Sequence, residues 1–355
     1  MPNNSHTSRC PTQRHPMEAP LLSPLKGGGL EAPLLSPLKG GGLVCLCVAV
    51  AAMLTVSCNR THDEVHFLRF ERLLFDPGHC ETPSMQFVST LINYHPEDPQ
   101  FVSMMNDFAS DEVMQYVYHV TDSLYHDIGW LEKQLGKAMG KAEDVCPSMH
   151  YDRFYTLVTA DFDDYHNRVF CSNNELAVSI DHYAVASMTR YGCFGTPAYI
   201  LNLSSREHLV TDCMAAVARQ HIVMPDGALT MLDYMIFEGK VQYFLEKTVP
   251  SAPDTIRLRY TANQLDWMQQ ATAKVWAWLV ENKMLFSNDY SLLRNYIGDA
   301  PKTNAFGEGS APRTTDYIGW QIVRRYAKRS GCTMEELFGE TDSQKILAVS
   351  GWRPK

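Results

Sequence analysis

The 355-residue chain contains no C-x-x-C pair, no H-E-x-x-H or H-x-x-E-H, no G-x-S-x-G and no G-x-x-x-x-G-K-[ST]. These absences argue against a zinc knuckle or redox dithiol, a zincin metal helix, a serine-hydrolase elbow and a phosphate-cradling loop. The apolar run Leu43–Val56 is fourteen residues long, short of the roughly 20 that span a bilayer as a helix. Basic residues are in deficit, 31 against 40 acidic for a net charge of -9, and the folded part carries no basic stripe. Nucleic acid is therefore not an expected partner. Ten cysteines are present, but they are scattered. Cys10, Cys45, Cys47 and Cys58 fall in or at the end of the leader, and the other six read as buried thiols rather than a disulfide framework.

Residues 18–30, EAPLLSPLKGGGL, recur letter for letter at 31–43. A repeat this short and this rich in Gly and Pro buries no core, so it stands outside the fold. Lys26 and Lys39 precede the run Leu43–Val56, which has the length of a secretory h-region. The run ends at Ser57-Cys58-Asn59, a small residue followed by Cys, although Thr55 stands where a lipobox prefers Leu. Cys58 is thus the expected acylation site, and the bacterial membrane is an expected partner through that anchor.

The expected organisation is a leader over 1–57, an extended arm over 58–98, a helical segment over 99–148 and an α+β domain over 149–355, with 99–355 as one compact unit. Val65–Phe70 reads as a short strand or extended arm, and Phe75-Asp76-Pro77-Gly78 as a turn. Val113, Val117, Val120, Leu124, Ile128, Leu131 and Leu135 recur at spacings of three and four, which predicts one helix over 111–141. Phe154–Thr159, Arg168–Cys171 and Leu176–Ile180 are β-branched or aromatic and read as strands. The turn Asp161–Asp164 lacks the oxygen-ligand series that calcium requires and reads as solvated. Helices are expected over 208–221, 230–248, 261–286, 316–329, 334–338 and 342–348, with a long loop around Ala300-Pro301 and Gly307–Pro312. A small sheet followed by helices makes the fold class α+β. His119, His126 and His221 lack partners at metal spacing. No cofactor is expected.

Five segments carry a resemblance. They are Phe67–Asp76, Met231-Leu232-Asp233-Tyr234-Met235-Ile236-Phe237-Glu238-Gly239-Lys240, Tyr260–Leu265, Asp316-Tyr317-Ile318-Gly319-Trp320-Gln321-Ile322-Val323-Arg324, and Ser350–Lys355. Together they resemble the gliding-motility lipoprotein GldB family of Bacteroidota. That family is in turn similar to zinc-dependent peptidases of the gluzincin kind. The resemblance implies a mostly helical α+β protein with a small sheet and a zincin-like core that lacks the metal motif. By position, the metal helix falls near Asp212 to Ala216. There Asp212 is at most a weak ligand, Cys213 cannot act as general base, and Ala216 has no donor atom. Glu238 stands at the third-ligand position, either lining a cleft or lying on a helix surface, and Arg324 is a further cleft candidate. No metal and no catalytic residue are expected. The implied role is a non-catalytic envelope protein that binds an envelope protein partner in gliding or type IX secretion. The alternative is a divergent metal-dependent hydrolase with a rearranged site.

Overall fold

The computed structural model describes residues 64–75, 97–165, 167–172 and 174–354, with Ser89 and His95. The leader, Cys58, Cys80 and most of the turn at 75–78 lie outside the described residues. The described residues belong to one compact unit, 59–355. None of their helices is long and apolar enough to cross a membrane.

Four short strands form the sheet: β1 Phe67–Arg69, β2 Arg153–Leu157, β3 Val169–Ser172 and β4 Glu175–Ser179, in the order β1-β2-β4-β3. β1 pairs with β2 and β2 with β4 in parallel, and β3 pairs with β4 antiparallel. Every residue of β4 is buried, which is why Leu176-Ala177-Val178 runs apolar on both faces. Ser172 pairs with Glu175, so the hairpin turns on two residues, with Asn174 at φ +65°. Asn tolerates that left-handed conformation better than most residues. β1 runs directly into α1, Phe70–Phe75, whose Glu71 is buried beneath the sheet. The Arg69 Nε donates to Glu71 Oε1 at 2.5 Å and Thr156 Oγ1 donates to Oε2 at 2.7 Å, so this buried carboxylate is matched on both oxygens.

Helix α2 spans Pro99–Ser110, capped by Asp98. The single helix expected over 111–141 is instead two, α3 Glu112–Leu124 and α4 Gly129–Val145. Periodicity carries across the gap because Ile128 and Tyr125 are themselves buried. The backbone does not carry across: the Tyr125 hydroxyl donates to Tyr183 O at 2.9 Å, and Asp127 Oδ1 accepts from Gly129 N at 2.8 Å, starting a new helix. His126 faces Asp122 at 3.3 Å, and Arg72 donates to its carbonyl.

Beyond the sheet come α5 Ala198–Leu203, α6 Leu209–His221, α7 Met231–Thr248, α8 Asp254–Leu258, α9 Ala262–Glu281, α10 Tyr290–Ile297, α11 Thr314–Ser330, α12 Met334–Gly339 and α13 Ser343–Ser350. The expected helix over 261–286 ends earlier, at Glu281, where Lys283 takes φ +56°. Thr230 and Asp233 close a capping box at the start of α7. The same device uses Thr261 with Gln264 at α9 and Thr333 with Glu336 at α12. The fold is α+β, mostly helical around a small sheet.

The centre of the helical layer is the crossing of α7 and α11. It is made by Gly239 and Gly319, one from each of two segments that carry the family resemblance. A Cβ on Gly319 would overlap the Met235 carbonyl oxygen and lie 2.7 Å from its carbon, and a Cβ on Gly239 would lie 2.9 Å from Trp320 N. Only hydrogen atoms fit, so the two backbones meet directly. Met231, Met235, Phe244, Ile318, Ile322 and Val323 fill the space around the crossing and are fully buried.

Candidate functional site

Helix α6 lies against the antiparallel edge strand β3 on one side and against α7 on the other. Its polar face presents Asp212, Ala216 and Arg219 at spacings of four and three, hence on one side. This face opens into a cavity of about 280 Å³, which is also walled by Arg168, Val169 and Cys171 of the β3 region and by Arg259 beyond α8.

The residues that the family resemblance implied for a degenerate metal helix make other contacts. Asp212 Oδ2 accepts from the Tyr183 hydroxyl at 2.8 Å and lies 3.8 Å from Arg168 Nη1. Burial alone would push this carboxyl up, but Arg259 and Arg168 outweigh it and hold it below the usual range. Cys213 is fully buried in the core, and its thiol is held well above its ordinary value by burial and then by Asp212, so it is inert at neutral pH. Ala216 lines the cavity and offers no donor. Glu238 on α7 reaches across to α6: Arg219 Nε donates to Oε1 at 3.2 Å and Nη2 to Oε2 at 2.8 Å, a two-point fork. Asp316, at the start of α11, is buried near Glu238. Burial, and then Glu238, raise its carboxyl well above the usual range.

Arg324 does not join this cavity. It lines a separate groove of about 850 Å³ along α11 and the C-terminal tail, together with Arg325, Lys328, Arg329 and Arg353 beside Trp352. Its guanidinium is 3.0 Å from Glu246 Oε2 and lies over the Trp320 ring at 4.8 Å.

Sequence reasoning missed three arginines. Arg219 was findable, since it is seven residues past Asp212 on the same helix face. Arg168 and Arg259 were not, because their roles depend on long-range packing. Arg168 is 3 % exposed; its Nε donates to Tyr165 O at 2.7 Å and its Nη1 to Leu203 O at 2.9 Å. Arg259 closes α8 in the left-handed conformation, φ +58°, a place usually given to Gly. Holding a non-Gly residue there costs on the order of 1–3 kcal/mol. Arg313, itself at φ +41°, fixes it by donating from Nη2 to Leu258 O at 2.8 Å and Arg259 O at 3.0 Å. Arg313 is in turn paired with Asp299 at 3.1 Å.

The five described cysteines are free. Burial pushes Cys171, in the cavity wall, up to about 12, and Cys193 donates to Ala186 O. His221 faces Tyr151 at 3.4 Å. Among the described residues, one group has the spacing to hold a cation, Glu64, His66 and Glu132. It shares no residue with the cavity, and His66 is 85 % exposed.

Fold and site thus define a mostly helical α+β protein whose α6–α7 pair is joined by an arginine–carboxylate fork between Arg219 and Glu238. The chain belongs to the gliding motility protein GldB family, whose model matches residues 56–354. No curated protein and no solved structure matches it. Family membership makes it a gliding-motility-associated protein of the cell envelope.

Proposed function

We propose that the chain is a non-catalytic envelope lipoprotein, held at a bacterial membrane through an acylated Cys58, that serves as a binding or assembly component for gliding and type IX secretion. Its scaffold is zincin-like and its metal site has been lost. The observation that carries this reading is the set of atoms on the α6 face. A gluzincin site needs two histidines four apart, a general base between them and a following glutamate, with one position open to water. Here the corresponding side chains are Asp212, committed to Tyr183 and Arg168, a buried thiol at Cys213, a methyl at Ala216, and Glu238 in its fork with Arg219. No set of donors converges there among the described residues, and no base is placed to activate a water. A binding role is supported further by the α11 groove, which gathers five cations in a chain of net charge -9. Such a surface suits an acidic segment of an envelope protein partner.

The test has two parts. Cys58→Ser should release the chain from the membrane fraction of its host. The purified protein and its Glu238→Ala variant should both lack peptidase activity against unstructured protein substrates. Activity in the native protein that Glu238→Ala abolishes would establish the alternative, a divergent metal-dependent hydrolase.

A further inference from the structure

The cavity at α6 has more guanidinium capacity than its own carboxylates use. Arg219 has spent its Nε and Nη2 on Glu238. Arg168 has spent Nε and Nη1 on backbone carbonyls, and its Nη2 is buried with no hydrogen-bond partner among the described residues. Neither Nε nor Nη2 of Arg259 has a hydrogen-bond partner among the described residues, although Asp212 and Asp299 lie near enough to act on its charge. Nε–H and Nη2–H point the same way from one edge of the guanidinium, the edge that receives a carboxylate at two points. Arg219 uses that same edge on Glu238. The Nε and Nη2 atoms of Arg259 are closed to solvent, and a buried donor without an acceptor is costly, a cost that a carboxylate reaching this edge would remove.

We propose that this cavity is a receptor for a small organic monocarboxylate, seated on the Nε–Nη2 edge of Arg259 and approached by Arg168. The proposal rests on the reading above that the cavity binds and does not catalyse. Charge sets the valence. Three guanidinium groups line the cavity, Arg168, Arg219 and Arg259, against one carboxylate, Asp212; Glu238 offsets Arg219 from outside the lining and Asp299 acts on Arg259, so the lining is cationic and suits one small anion. Size sets the bulk. A space of about 280 Å³ admits a fragment of one or two residues' volume, at the lower end of ligand pockets. The walls set the flanking chemistry: Gln220 is a neutral polar side chain suited to an amide next to the acid, while the Tyr165 hydroxyl already meets Tyr199 and Asn167 already donates to Asp164. The carboxylate can be the end of a peptide chain or a free acid, and the probes below separate the two.

The experiment is ligand titration of the purified full chain, read as a saturable rise in the thermal unfolding midpoint and by calorimetry. N-acetylglycine is the probe for a chain end, acetate for a free acid, N-acetylglycinamide is the uncharged control, and inorganic phosphate is the competing oxyanion. The native protein is expected to bind N-acetylglycine and to ignore its amide. N-acetylglycine binding more tightly than acetate assigns the site to a chain end, and equal binding assigns it to a free acid. Arg259→Lys keeps the charge and the same backbone demand but loses the fork, so it should weaken binding about tenfold or more. No response to either carboxylate, an equal response to the amide, a preference for phosphate, or unchanged binding in Arg259→Lys would overturn the proposal. The comparison of acid with amide needs no variant, so it decides even if Arg259→Lys does not fold. Absence of carboxylate binding leaves the peptidase and membrane-release results unaffected, so the two readings fail separately.

Discussion

Replacing Gly319 by Ala puts the packing account at most risk, because propensity and packing predict opposite signs. In an exposed helix interior, Gly→Ala stabilises by up to about 1 kcal/mol. At the crossing of α7 and α11, the added Cβ would overlap the Met235 carbonyl oxygen and stand 2.7 Å from the Met235 carbon. Nonbonded carbons rest at about 3.5–4.0 Å, so the helices must part by roughly 1 Å along their shared length. The neighbours that fit this spacing, Met235, Ile318, Ile322 and Val323, are fully or nearly fully buried and have nowhere to move. Overpacking of this kind costs about 1–3 kcal/mol, at times more, and it outweighs the propensity gain. Gly239→Ala should behave alike, since its Cβ would lie 2.9 Å from Trp320 N. The double variant should lose less than the sum, because helices already parted by one Cβ make room for the second. Gly339→Ala at the end of α12 is the control: nothing lies within 4 Å of its Cβ, and the change should be neutral or mildly stabilising. Urea unfolding of the purified chain, compared at equal slope, reads all four. A Gly319→Ala protein as stable as the native one would show that the backbones do not meet there.

Two pH responses follow from buried titratable groups. His182 is 2 % exposed, and burial, followed by Arg168, holds its imidazole down to about 3. Its folded value lies below the unfolded one near 6.5, so its contribution is intact above pH 6.5 and is lost as pH falls toward 3, in total roughly 3–5 kcal/mol. Its ring resonances should show a neutral imidazole at pH 5, and a protonated ring there would contradict the burial. Asp316 behaves with the opposite sign. Its folded-state value is raised, by burial and then by Glu238, so stability is present at acid pH and is lost as pH rises from the unfolded value near 4 through the raised one. Asp316→Asn should therefore be more stable than the native chain by about 1 kcal/mol or more at pH 9, with the advantage vanishing at pH 4. An Asn variant less stable at pH 9 would mean that the ionised carboxylate is needed there.

The helices with strong local signals were legible in the sequence. The expected ranges 230–248 and 334–338 match α7 and α12 to within a residue because their caps and apolar spacing are local properties. The break between α3 and α4 was not legible, since buried Tyr125 and Ile128 continue the apolar period while a long-range hydrogen bond to Tyr183 ends the helix. α10, Tyr290–Ile297, was also not foreseen: it is a short helix with two buried residues, Leu293 and Tyr296, too few to make a pattern. At the candidate site, Glu238 came from a segment that carries the resemblance, whereas Asp212, Cys213 and Ala216 came only from the position that the family pattern implied. The contacts they make came only from their neighbours. Arg168 arrives from the residue before β3 and Arg259 from the residue that closes α8, and no spacing rule joins residues 168, 212 and 259. Arg324 lies in the same resemblance segment as Gly319, yet the structure assigns it to a different groove.

The proposed role, in which the Arg219–Glu238 fork between α6 and α7 leaves no zinc site, is tested most directly by metal content. The purified chain, incubated with excess zinc and then freed of unbound ion, should retain far less than one zinc per chain, and Asp212→Ala or Glu238→Ala should not alter that value. One tightly held zinc per chain, lost from both variants, would contradict the claim.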